Sequence, residues 1–189
     1  MTKRMQIITA ADKLFYEQGF EHTSFAHIAK AVNISRGNFY YHFKTKDDIL
    51  DAVISARLTN TQEMVDNWQE SATDPVERIR RFIHILIMNK NKIMQFGCPV
   101  GTLTSELNKL DHPAQGSANN LFTVFRTWLS GQFEQLGFSN ASDELAMHLL
   151  ARSQGIATLA SAFNDEAFIQ NEVSQLNHWL DTQIENLNH

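Results

Sequence analysis

Residues 24–46 read SFAHIAKAVNISRGNFYYHFKTK. Ser24 opens a short helix through Ala31, with Ile28 and Ala29 turned inward and the serine hydroxyl placed to accept a first-turn amide. His27 stands where a capping box would hold Glu or Gln, so this cap reads as incomplete. Asn33 tolerates positive φ and marks a turn, and Ser35 caps a second helix through Phe39, Tyr40 and Phe43. The stretch is a helix, a tight turn and a helix.

The second helix carries Arg36, Asn38, Tyr40, Tyr41 and His42, side chains that hydrogen-bond phosphates and base edges, and the major groove of DNA admits one helix. Ser24 and Ser35 put hydroxyls and first-turn amides where a phosphate backbone would pass, with Lys44 and Lys46 beside them. Phe39 and Phe43 read as core.

Outward from this stretch, apolar residues recur at helical spacing and no segment alternates with period two, so the chain of 189 residues reads as all-α, with about nine helices. A helix over Lys3–Gln18 stops at Gly19, and Thr45 with Asp48 opens a long one through Trp68. Further helices are expected over 74–96, 100–110, 114–136, 142–163 and from 164 toward Leu187. Residues 1–46 form the expected helix-turn-helix DNA-binding domain, and 47–189 a second, helical domain.

The net charge of −5 argues against a protein that coats nucleic acid, yet it is unevenly spread. Residues 1–46 hold seven Lys and Arg against three acids, whereas the remainder holds nine against eighteen. No apolar stretch approaches the roughly 20 residues that span a bilayer, and no secretory signal is legible, so a cytoplasmic protein is expected. The single cysteine, Cys98, excludes an intrachain disulfide. The eight histidines lack metal-ligand spacing, and no nucleophile elbow or phosphate-binding loop occurs, so neither metal, cofactor nor enzymatic activity is expected.

Gly19-Phe20, Thr23-Ser24, Ile28 to Ala31 and Ser35 to Lys46 resemble the TetR family of bacterial transcriptional regulators. The likeness covers about the first quarter of the chain and departs from the family at Asn33, where glycine is usual. It implies DNA contacts at Ser35, Arg36, Asn38, Tyr40, Tyr41, His42 and Lys46, a phosphate contact at Thr23, and close approach to DNA at Gly37. It also implies that 47–189 is an effector-binding and dimerisation domain, with a homodimer that binds a pseudo-palindromic double-stranded operator and a ligand cavity whose occupation releases it, making the chain a repressor.

Phe82, Leu86, Met94, Cys98, Leu103, Phe122, Phe125, Trp128 and Phe163 are the candidate lining of that cavity, since ligand pockets are mostly apolar. Gly97 to Leu107 is similar to a Gly-Cys stretch in TetR-family repressors that answer electrophiles or unsaturated acids. The helix dipole would favour a Cys98 thiolate, but no Lys or Arg lies within five residues of it. The candidate dimer surface is Leu149, Gly155, Ile156, Leu159, Trp179, Leu180 and Ile184, where small residues allow close helix packing. Two other readings stay open: an effector-independent architectural DNA-binding protein, and a hydrolase using Cys98 with His84 or His112.

Overall fold

The computed structural model describes residues 1–187, with the backbone alone at Arg36. The regular elements of the described residues are all helices: α1 (Lys3–Gln18), α2 (Phe25–Ala31), α3 (Arg36–His42), α4 (Lys46–Ser71), α5 (Pro75–Met88), α6 (Lys90–Phe96), α7 (Pro99–Lys109), α8 (Gln115–Gln135), α9 (Ser142–Phe163) and α10 (Glu166–Leu187). The helix expected over 74–96 is divided at Asn89. There the side-chain amide donates to the Ile85 carbonyl (3.1 Å), the same oxygen its own backbone N–H uses, and the ladder breaks. Counting α5 and α6 as one interrupted helix leaves nine.

The chain forms two compact units. The first joins residues 1–60 to 99–121, so it is larger than the 46-residue segment expected from the sequence. In its core, Leu103 and Leu107 of α7 and Ala114 and Ala118 pack with Ile7, Ala11 and Phe15 of α1, Ile28 of α2 and Phe39 of α3. Burying a leucine of this kind contributes about 1.5–3 kcal/mol. Arg57 of α4 adds a polar tie, donating from Nε to Asp12 of α1 (2.6 Å) and from Nη1 to the Pro99 carbonyl (2.7 Å).

Between α1 and α2 the chain turns at Gly19, whose φ of +88° and ψ of 157° belong to a region that glycine alone adopts at little cost. Thr23 is 1% exposed. Its hydroxyl donates to the Gly19 carbonyl (2.7 Å) and accepts from the Gln18 amide (3.2 Å). Thr23, for which a phosphate contact was expected, therefore staples the turn in this structure, with its hydroxyl buried and bonded within the chain.

The second unit, residues 61–98 with 122 onward, is a bundle. Ile79, Phe82, Ile83 and Leu86 repeat at helical spacing along α5 and meet Ile169, Val173, Leu176 and Leu180 of α10 and Leu149, Ile156 and Ala160 of α9 in one core. At its edge Arg78 is only 7% exposed. Its guanidinium donates to the Gln69 and Ala72 carbonyls at the end of α4 and to the Gln132 and Gln135 side-chain oxygens of α8. All four acceptors are neutral, but the carbonyls lie at the negative end of the α4 dipole, which favours a cation there.

Arg78→Leu keeps apolar volume and leaves these acceptors unpaired, so it should lower stability by about 3 kcal/mol in urea unfolding. Thr23→Val, nearly isosteric, should cost about 1–2 kcal/mol while leaving DNA affinity of the folded protein within twofold of wild type. A large loss of affinity at a temperature where the variant is fully folded would return Thr23 to the DNA surface.

Candidate nucleic-acid interface

Three local hydrogen-bond devices set the helix-turn-helix. At the start of α2, Ser24 Oγ accepts from the His27 amide (3.2 Å) and His27 Nδ1 accepts from the Ser24 amide (3.3 Å). The capping box that looked incomplete is thus closed, with an imidazole nitrogen in the role of a glutamate oxygen. At the end of α2, Asn33 takes φ +50° and the Ile34 amide reaches back to the Ala29 carbonyl, the Schellman pattern. Ser35 then caps α3, accepting from the Asn38 amide (3.3 Å).

Packing fixes which face of α3 is free. Phe39 and Phe43 are buried, as expected, and Phe25 of α2 meets Phe39 edge-on (5.1 Å) and Tyr40 at a tilt (5.5 Å). Gly37, Asn38 and Tyr41, spaced for one helical face, are exposed, Tyr41 at 79%. Space around Gly37 is open, with nothing within 4 Å of where a Cβ would stand. Ser24, Ser35 and Lys44 are also exposed, and Tyr40 and His42 are half-buried, the His42 ring edge-on to Tyr41. Lys44 Nζ donates to the Tyr40 carbonyl (2.5 Å). The Arg36 side chain lies outside the described residues.

Lys46 departs from the expectation. Its ammonium lies 4.1 Å from the centre of the Phe20 ring and donates to the carbonyls of Phe20 (3.0 Å) and Glu21 (3.3 Å). In this structure it ties α4 to the α1–α2 turn. The capping box expected at Thr45 and Asp48 is present: Thr45 Oγ1 accepts from the Asp48 amide, and Asp48 Oδ2 accepts from the Thr45 (2.9 Å) and Lys44 (3.0 Å) amides. Those bonds, the Thr45 amide first, hold the Asp48 carboxyl below the usual carboxylate range.

Two further features escaped the sequence reading. Arg4 of α1 lies over the Phe43 ring at 4.9 Å, bringing an exposed cation to the end of α3. Glu106 of α7 accepts from the Phe20 and Glu21 amides, both at 2.9 Å. Neither has a local signal, because each partner is tens of residues distant.

The expected effector lining is only partly brought together. Phe82 and Leu86 are in the core of the second unit, with Met94, Cys98, Phe122, Phe125 and Trp128 half-buried against it, and Phe82 stacks edge-on with Phe125 (5.4 Å). The Trp128 indole N–H is buried without an acceptor beside the Trp68 ring. Leu103 instead belongs to the core of the first unit, and Phe163 is 75% exposed at the end of α9. An open groove of about 760 Å³ in the second unit has a different lining, which includes Met64, Trp68, Arg80, Arg81, His84 and Met88.

Of the expected dimer residues, Leu149, Ile156 and Leu180 are consumed by the chain's own core, so no partner can meet them. Gly155 and Leu159 are exposed, Ile184 is half-buried, and Trp179 stacks on His148 (4.4 Å). Burial and the Arg152 charge hold the His148 imidazole below its ordinary pKa. Among the described residues no group of three or more His, Cys, Asp or Glu side chains could hold a metal ion, and no helix is long and apolar enough to cross a membrane.

Comparison with known proteins agrees with this geometry. The family model for bacterial regulatory proteins of the tetR family matches residues 7–53, the part that contains α2 and α3. That for the C-terminal domain of LmrA/YxaF-like transcriptional regulators matches residues 75–175. An HTH-type transcriptional regulator from the lacX 3′ region of Lactococcus lactis is 27% identical over 85% of this chain and 84% of its own. The HTH-type transcriptional regulator LmrA of Bacillus subtilis is 26% identical over 76% of each chain. A TetR transcriptional regulator of Legionella pneumophila superposes with a TM-score of 0.83 over 97% of both chains at 26% identity. With one face of α3 open and both its N-terminal and C-terminal parts matched, the chain belongs to the TetR family of DNA-binding transcriptional regulators.

Proposed function

We propose that the protein is a cytoplasmic homodimeric repressor that places one α3 helix in each half of a pseudo-palindromic operator and is released by a small-molecule effector. The observation that carries DNA reading is the exposed face of α3, where Gly37, Asn38 and Tyr41 stand open with Ser35 and Lys44 at its ends. A helix whose other face is locked by Phe39 and Phe43 presents these side chains without further ordering, so little of the contact energy is spent on fixing them.

Dimer formation is supported by α9. Met147, Ala151, Gly155, Leu159 and Phe163 follow at intervals of four residues, and every one is exposed. A continuous row of apolar and small residues on a helix surface is what a facing helix packs against. Phe163, expected in the cavity, falls on this row. Effector binding is supported by the aromatic group Phe82, Phe122, Phe125 and Trp128, where a ligand acceptor could take the unpaired indole N–H.

The test begins with selection of a binding duplex from random 30-base-pair DNA. Arg36→Ala and Tyr41→Ala should each weaken binding to the selected duplex by about 1–3 kcal/mol in anisotropy titrations, with helicity and dimerisation unchanged. Unchanged affinity in both would remove α3 as the reading helix. Gly155→Glu should raise the dimer dissociation constant in sedimentation equilibrium at least tenfold, since a charge would be buried in the helix contact. A wild type that stays monomeric at every concentration would contradict the dimer.

A further inference from the structure

We propose that Glu106 is a positioning residue for DNA reading: its carboxylate, carried by α7, sets the α1–α2 turn and with it the pose of α2 and α3. The inference rests on the assignment of α3 as the reading helix.

Phe20 is held at each of its chemical groups. Its amide donates to Glu106 Oε2 (2.9 Å), its carbonyl accepts from Lys46 Nζ (3.0 Å) and, within the turn, from the Thr23 amide (3.1 Å), and its ring meets Phe15 (5.3 Å) and His112 (5.1 Å) edge-on. The next amide, that of Glu21, donates to Glu106 Oε1 (2.9 Å). Apart from Thr23, which belongs to the turn itself, these holders come from α1, α4, α7 or the α7–α8 connection, and none from α2 or α3. The turn is therefore anchored from behind the reading helices, and Ser24, which starts α2, follows the Glu106-bound Glu21 by three residues.

A carboxylate suits the task because its two oxygens accept from two successive amides at once, as charge-assisted bonds. The approach is close: a Cβ on Gly19 would stand 3.0 Å from Glu106 Oε1. Glu21 is exposed, so water can replace the carboxylate at its amide, and loss of Glu106 would cost orientation more than folding free energy. α7 itself is fixed in the same compact unit by buried Leu103 and Leu107 and by the Arg57 bond to Pro99.

Charge gives the test its direction. Neutralising a carboxylate favours binding to a polyanion, so a weakening in Glu106→Gln isolates position from electrostatics. In the full-length protein, Glu106→Gln and Glu106→Ala should lose at least fivefold in affinity for the duplex that wild type selects. Their affinity for poly(dI-dC) should stay within twofold, and the slope of log K against log salt should be unchanged, because no phosphate contact is removed. Glu106→Asp, which keeps the charge-assisted acceptors on a shorter stem, should recover part of the specific affinity. Hydrogen exchange at the Phe20 and Glu21 amides should quicken at least tenfold in the Gln variant, with Ile28 and Phe39 unchanged. Wild-type specific affinity in both Gln and Ala variants overturns the proposal. So does a parallel fall of specific binding, non-specific binding and thermal midpoint, the signature of a residue that serves stability alone. A wild type that enriches no duplex removes the α3 assignment and this proposal with it, and differs from the other two results in appearing before any substitution is made.

Discussion

A helix-turn-helix of some 46 residues cannot bury enough apolar surface to be secure by itself, because small domains leave too large a share of their surface in water. Here the deficit is met by α7 and the first part of α8. Leu103, Leu107, Ala114 and Ala118 complete a core that begins with Ile7 and Ala11 and reaches Ile28 and Phe39. The consequence is topological. A segment more than 50 residues downstream of α3 becomes part of the structural unit that holds α3.

That arrangement explains where the polar ties fall. Arg57, Glu106, His112 and Lys46 all act on α1, on Pro99 or on the turn at Phe20, and leave α2 and the outer face of α3 uncrossed. A reading surface has to remain unsatisfied in the free protein, since every donor spent internally is one fewer for a base edge. The stabilising bonds are therefore concentrated at the back of the unit and at the helix caps, where Ser24, Ser35 and Thr45 serve the backbone.

The parts legible in the sequence were those decided within a few residues. Ser24, Ser35 and Thr45 cap as read, Asn33 takes positive φ as read, and the alternation of buried Phe39 and Phe43 with open Asn38 and Tyr41 follows from helical periodicity. What was not legible depends on distant partners. Thr23 looks like a polar residue at a helix start, and only the fold shows its hydroxyl closed over Gly19. Phe163 is apolar at the end of an apolar helix, and periodicity assigns it a face without saying whether the chain covers that face. Leu103 was grouped with Phe82 by composition, yet the two belong to different cores. His27 closes a box because its Nδ1 happens to reach the Ser24 amide, a geometric fact that residue preference does not encode.

Lys46 is where local reading and tertiary structure meet. As a lysine at the start of α4, close after the reading helix, it has the position and charge of a phosphate contact, but its ammonium is already bonded to two carbonyls and set over an aromatic ring. Each carbonyl bond is worth about 1–2 kcal/mol net, and the ring contact about 1 kcal/mol more at a partly exposed site. A phosphate reached by Lys46 would have to return that sum first. The exchange would leave the Phe20 carbonyl with the Thr23 amide (3.1 Å) as its donor, beside the Glu106 bond to the Phe20 amide. Exposed Lys44 differs, since its ammonium donates to the Tyr40 carbonyl four residues earlier and makes no such tie to a distant element. What the fold shows of Lys46 is a tie between the start of α4 and the turn at Phe20.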